Sequence, residues 1–238
     1  MNTQKESITF KTQKKMKYVS IDIETTGLDP ERNDILSVGL IIEDTENKLS
    51  FEEIPKLHIA IKHQEVTGSL FAINMNKELI GEISRYQSAK TQDEKNDLVN
   101  HTAIQFLDKD DVVESIFAFF HINGITSINS NESNPMKNVN GKMIPMLTSK
   151  MKPVSITVAG KNFGTFDKLF LERLPRWQQA IRVKQRMIDP GILFVDWKSD
   201  DSLPSLEECK KRGNIEGVVT HDALEDAWDV ILLLRKFY

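Results

Sequence analysis

The sequence predicts an α/β fold, and three observations carry that reading. The run Tyr18-Val19-Ser20-Ile21-Asp22-Ile23-Glu24 alternates strictly between apolar and polar positions, the period of a strand. Two further apolar runs, Ile35 to Ile42 and Leu57 to Ile61, follow over short links, which favours antiparallel pairing. Helix-period patterns come next, and then a second alternating run, Val154-Ser155-Ile156-Thr157-Val158, with more helical pattern behind it. The chain has 238 residues, 39% hydrophobic and 28% charged, which suits one α/β domain with a full core.

Each element has its own signal. Residues 1–16 are polar and read as a flexible N-terminal arm. Thr25-Thr26-Gly27 ends the first strand, with a glycine free to turn the chain. Asn47-Lys48 is a plausible turn before the third strand. Phe71, Met75, Leu79 and Ile83 recur every four residues, so Ser69 to Tyr86 reads as one helix. The polar stretch Gln87 to Asn96 reads as an exposed turn. Leu98 to Phe120 carries another helical pattern, interrupted around Asp108-Lys109-Asp110-Asp111. Residues 121–153 hold six asparagines and little periodicity, and read as a loop or hairpin insertion in a domain spanning 17–238. After the second alternating strand, a helix is expected from Phe166 to Leu174, stopped by Pro175. A buried segment is expected around Ile188-Asp189-Pro190, a short helix from Leu203 to Arg212 closed by Gly213, and a last helix from Asp222 to Phe237.

Composition excludes several classes. No apolar run approaches the roughly 20 residues that span a membrane, and Met1 to Lys17 lacks the apolar stretch of a secretory signal. A single cysteine, Cys209, excludes an internal disulfide and a cysteine-based zinc site, and points to a reducing, cytoplasmic setting. The net charge of −4 excludes a uniformly basic nucleic-acid coat. Between Lys161 and Arg186, however, seven basic residues stand against two acidic ones. That run is either a grip for a phosphate backbone or a solvated face.

Candidate chemistry rests on acids. On the first strand Val19, Ile21 and Ile23 share one face, so Asp22 and Glu24 share the other, one pleat repeat apart. Two carboxylates so close repel unless a cation lies between them, and oxygen ligands suit Mg²⁺ or Mn²⁺. Asp-x-Glu alone is equally a pair facing solvent. Asp167, in the first turn of a helix, is by itself no more than a complement to the helix dipole. Asp222 and Glu225 have capping-box spacing, which starts the last helix at Asp222 and puts Asp226 one turn in. His221 then lies on the entering loop, able to stand beside Asp226 as a general base.

Asp22-Ile23-Glu24-Thr25-Thr26-Gly27, Asn162-Phe163-Gly164-Thr165-Phe166-Asp167 and His221-Asp222-Ala223-Leu224-Glu225-Asp226-Ala227 together resemble the three motifs of the DnaQ-like (DEDDh) 3′–5′ exonuclease family, in the family's order. Ser202 to Cys209 is similar to the family helix before the third motif. The resemblance covers residues 17–62 and 154–238, and 63–153 only loosely. It implies a ribonuclease H-like fold: a central mixed five-stranded sheet, its first three strands antiparallel, flanked by helices. It implies that Asp22, Glu24, Asp167 and Asp226 hold two divalent metal ions, Mg²⁺ or Mn²⁺, and that His221 takes the proton of the attacking water. By the same analogy Thr25, Leu28 and Asn162 bind substrate. The implied activity removes nucleoside 5′-monophosphates from the 3′ end of a nucleic acid, with single strands as partner and DNA favoured over RNA. Two alternatives use the same fold: a non-catalytic module that binds strand ends or a protein partner, and a phosphodiesterase of short oligonucleotides. The 121–153 insertion either borders the site and gates it or is a solvated decoration.

Overall fold

The computed structural model describes residues 16–125, 136–139, 142–148 and 151–238. The expected N-terminal arm lies outside the described residues except for Met16. Strands β1 (Lys17–Thr25), β2 (Ile35–Asp44) and β3 (Lys56–Ile61) form an antiparallel meander. Helices α1 (Leu70–Met75), α2 (Lys77–Ser88) and α3 (Gln92–Thr102) lead to a short strand β4 (Gln105–Leu107), which lies parallel to β3. Helix α4 (Lys109–Ile122) precedes a hairpin, β5 (Met136–Val139) with β6 (Lys142–Pro145). Then come β7 (Val154–Ile156), β8 (Val158–Ala159), α5 (Asp167–Leu171), α6 (Trp177–Ala180), β9 (Ile181–Val183), α7 (Gly191–Phe194), α8 (Leu206–Arg212) and α9 (Ala223–Leu234).

The central sheet has five strands in the order β4-β3-β2-β1-β8, mixed in direction because β8 runs parallel to β1. Helices cover both faces. On one, Val19, Ile21 and Ile23 of β1 join Val113, Ile116 and Phe117 of α4 and Phe170 of α5 in the larger core. On the other, Tyr18 and Ile41 pack with Ala227, Val230, Ile231 and Leu234 of α9. This is the ribonuclease H-like α/β arrangement that the sequence leads one to expect.

Local departures have physical causes. The helix expected over Ser69 to Tyr86 is two helices, broken at Asn76, whose buried amide donates to the carbonyls of Thr25 and Ala72. The polar stretch expected as a turn begins α3, which buries no residue and is started by a capping box between Thr91 and Glu94. The run 154–158 divides at Thr157: β7 pairs with β9 in a small parallel sheet and β8 with β1 in the main one. The β5–β6 hairpin is fastened to α4, where Lys137 reaches Asp111 at 2.5 Å and the buried Glu114 at 3.4 Å.

Candidate active site

β1 pairs with β2 through Asp22 and Glu24 and with β8 at Val19 and Ser20, which sets the register from which the two acids leave it. Above their face lies the start of α9. Gly39 of β2, opposite Asp22, permits that approach: a Cβ there would stand 2.3 Å from the Ala223 carbonyl oxygen. Ser20 donates its hydroxyl to the Ala227 carbonyl at 2.7 Å, a second tie between β1 and α9. Asp222 caps α9, its Oδ1 accepting from the N–H groups of Leu224 and Glu225 at 2.9 and 3.0 Å. Asp226, one turn in, is thereby set against β1.

The four acids meet. Asp167 is 2% exposed, and its Oδ1 accepts the Ile23 N–H at 3.2 Å, which places it between Asp22 and Glu24 in the chain's own ladder. Glu24, His221 and Asp226 bring one potential ligand atom each within 4.8 Å of one another. All five groups line one cleft of about 1000 Å³. His221 is exposed and takes a left-handed backbone, φ 56°, just before the Asp222 cap. That turn puts the imidazole at the cleft mouth over Glu24 and Asp226.

The charges in this cleft are unbalanced. Burial, then the charges of Asp167, Asp226 and Glu24, hold the Asp22 carboxyl well above its usual value. Burial pushes Glu24 up to about 8, opposed by a hydrogen bond from Asn76. It pushes Asp167 up to about 7 against the backbone N–H groups of Asp167 and Ile23. Asp226 is also raised to about 7, by burial and then by Asp229 and Asp222. Asp226 Oδ1 is buried with no hydrogen-bond partner among the described residues. Such a set of converging carboxylate oxygens, one of them orphaned, fits a hard divalent cation. The protein thus holds a candidate acidic metal site.

The residues expected at the substrate all line the same cleft: Thr25, Leu28 and Asn162. The Thr25 hydroxyl donates to the Gly27 carbonyl at 2.7 Å and shapes the turn, while Leu28 is 83% exposed. Asn162 sits at φ 57°, its N–H donating to Asp189 at 2.9 Å, and Lys161 beside it reaches the same carboxylate at 3.4 Å. None of the described residues of the 121–153 excursion lines the cleft.

Sequence reasoning missed three residues here. Asn76 donates to the Thr25 carbonyl next to Glu24, and no sequence signal singles it out, because it lies off the apolar stripe. Phe71 contributes to the spacing that predicts the helix, yet its side chain is 77% exposed on the cleft wall. Its helix is drawn to the site by Gly68 and Ser69: a Cβ on Gly68 would meet the Thr26 carbonyl at 2.0 Å, and the Ser69 N–H donates to it at 2.9 Å. Lys210 of α8 is buried, paired with the buried Asp229 of α9, and donates to the Val218 carbonyl at 3.2 Å. It ties the loop that carries His221 to both helices.

With this architecture the chain resembles solved nucleases. It matches E. coli exonuclease I in complex with a dT13 oligonucleotide with a TM-score of 0.52 at 13% identity, over 92% of this chain and 40% of that one. The zinc-ion-bound form of the E. coli ExoI–ssDNA complex gives 0.52 at 14%, over 93% and 41%. A moderately thermophilic exonuclease I from Methylocaldum szegediense gives 0.50 at 17%, over 93% and 40%. The likeness is one of fold, and the chain spans about two fifths of the length of these proteins. No protein-family model and no curated protein matches the sequence. Among the described residues no helix is long and apolar enough to cross a membrane.

Proposed function

We propose that this chain is a metal-dependent 3′–5′ exonuclease of the DnaQ-like, DEDDh type, acting on single-stranded nucleic acid, DNA foremost. The carrying observation is the convergence of Asp22, Glu24, Asp167 and Asp226, from three distant segments, on one cleft beside His221. The likeness in fold to exonuclease I, solved with single-stranded oligonucleotides, supports the choice of substrate.

Asp22, Glu24, Asp167 and Asp226 would hold two divalent ions, Mg²⁺ or Mn²⁺. When bound, these ions supply charge stabilisation to the attacking and leaving oxygens of the phosphodiester. His221, at the open mouth of the cleft, accepts the proton of the attacking water at an imidazole nitrogen. Asn76 and the Ile23 N–H hold Glu24 and Asp167 in place, so the acids need not reorganise during the reaction. Thr25, Leu28, Phe71 and Asn162 shape the wall where the terminal nucleotide lies. The products are nucleoside 5′-monophosphates released one at a time.

The test is digestion of a 5′-labelled oligonucleotide in Mn²⁺. Wild-type protein shortens it stepwise from the 3′ end, Asp22→Asn and Asp226→Asn abolish this, and His221→Ala loses about 10²–10⁴ in rate. Full activity in either Asn variant overturns the metal assignment, and absence of wild-type cleavage overturns the enzyme. Melting curves give a second readout that needs no substrate. In EDTA, Asp226→Asn should melt above wild type, since it removes a buried like charge. Mn²⁺ at 100 times its Kd should stabilise wild type by about 2.7 kcal/mol and the variant far less.

A further inference from the structure

An acidic cleft is a poor place to hold a polyanion. Five carboxylates line it, one more negative charge than two divalent ions would neutralise, and its cations Lys161 and Arg32 are already engaged with Asp189 and Asp29. With a net charge of −4 the molecule as a whole also repels a strand. Affinity for a nucleic acid therefore needs positive ground elsewhere.

A second concavity, of about 410 Å³, adjoins the cleft. Lys168, Arg182, Lys184, Gln178, Gln185 and Met187 are among the residues that line it. It borders the catalytic cleft through the loop before α5: Thr165 and Asp167 face the cleft, while Lys168, the next residue, faces this hollow. Met187 packs over the same loop, close enough that a Cβ on Gly164 would meet its methyl at 2.8 Å. Arg182 is the outward residue of β9, and the Lys184 N–H extends the β9 ladder by donating to the Ile156 carbonyl at 2.9 Å. The two cations therefore point to one face, about 6.6 Å apart along the strand. The Thr157 hydroxyl accepts from the Lys184 ammonium at 3.2 Å, and Arg186, also exposed, lies two residues on. Among the described residues the only acid lining the hollow, Glu172, is ion-paired with Lys168 at 3.1 Å. The amides of Gln178 and Gln185 add neutral donors to this wall.

The geometry points to a second strand subsite: this basic hollow holds the sugar-phosphate backbone of the nucleic acid whose 3′ end lies in the acidic cleft, several nucleotides away from that end. The inference rests on the exonuclease reading for the placement of the 3′ end, but it makes a separate claim about binding. It gives the basic run of the sequence a role on one face, shared by Arg182 and Lys184.

The test is equilibrium binding without cleavage. In an Asp226→Asn background, fluorescence anisotropy measures the affinity for 5′-labelled single-stranded DNA of 4 and 20 nucleotides, from 50 to 200 mM salt. The 20-mer should bind at least tenfold more tightly than the 4-mer. Adding Arg182→Gln with Lys184→Gln should remove about tenfold of the 20-mer affinity at low salt and reduce the slope of log K against log salt by about 1.4, two single-strand phosphates' worth. Both side chains are exposed, and an unchanged melting temperature confirms the fold. An unchanged 20-mer affinity and slope overturns the subsite, as does equal affinity for the two lengths in the parent. The assay uses no turnover, so a protein that binds this way but never cleaves would sink the exonuclease reading and leave the subsite standing.

Discussion

The cleft has two unlike walls. One is β1 with α9, which carries Asp22, Glu24 and Asp226 on long elements packed on both sides. The other is α1 with the loop before α5, which presents Phe71, Asn162 and Thr165 on a six-residue helix and a turn. On the first wall the ties are many and buried: Ser20 to Ala227, α9 seated on Gly39, Lys210 to Asp229. On the second they are hydrogen bonds of single groups: the Asn76 amide to the Thr25 carbonyl, the Ser69 N–H to the Thr26 carbonyl, and the Asn162 N–H to the Asp189 carboxylate. Carboxylates that repel one another lie on the braced wall, and the groups proposed to meet the substrate, Phe71 and Asn162, lie on the other. Asp167 shows the rule from the other side. It stands on a five-residue helix, yet it is buried and pinned to the Ile23 N–H of β1.

The largest expected effect breaks the braced wall. Lys210→Met leaves Asp229 buried without its cation and frees the Val218 carbonyl. Removing one partner of a buried pair costs about 3–5 kcal/mol, measured as loss of unfolding free energy in urea. Lys210→Met with Asp229→Leu should recover most of that stability. Activity should stay low in the double variant, because the loop carrying His221 has still lost its anchor. Recovery of both together would make Lys210 a stability residue alone.

The next effect is on the other wall. Phe71→Ala should leave the unfolding free energy within about 0.5 kcal/mol of wild type, as for an exposed side chain. It should weaken strand binding by about 1–3 kcal/mol, the worth of one base on an aromatic ring. The result appears in KM rather than in melting. A large loss of stability with unchanged KM would return Phe71 to the core role that its four-residue spacing suggests.

That spacing shows what could be read from the chain alone. The alternation of β1, the Asp222 cap and the apolar face of α9 are local signals that the tertiary structure obeys, so the acids of these elements were legible. The break between α1 and α2 was not, because the stripe Phe71, Met75, Leu79, Ile83 runs across it without a flaw. What breaks it is the Asn76 amide reaching the Thr25 carbonyl, 51 residues away. Strand β4 is three residues long, too short for any period, and owes its place to pairing with β3. Helix α3 is a different case: Thr91 and Glu94 spelled its start, but a polar stretch without an apolar face drew the reading toward a turn.

The smallest effect reports on the braced wall without disturbing it. Cys209 lies on α8 next to Lys210, fully buried, and burial pushes its thiol up to about 11. At pH 8 only about one thiol in a thousand is then ionised, and that one is out of contact with solvent. Native protein should therefore resist a thiol-specific reagent for hours and react at once in denaturant. The modification rate in the folded state then measures how often α8 opens. Lys210→Met should speed it many-fold, whereas Phe71→Ala should leave it unchanged, since that substitution touches only the other wall. Equal acceleration by both would mean that the cleft opens as one unit and that its two walls share a single stability.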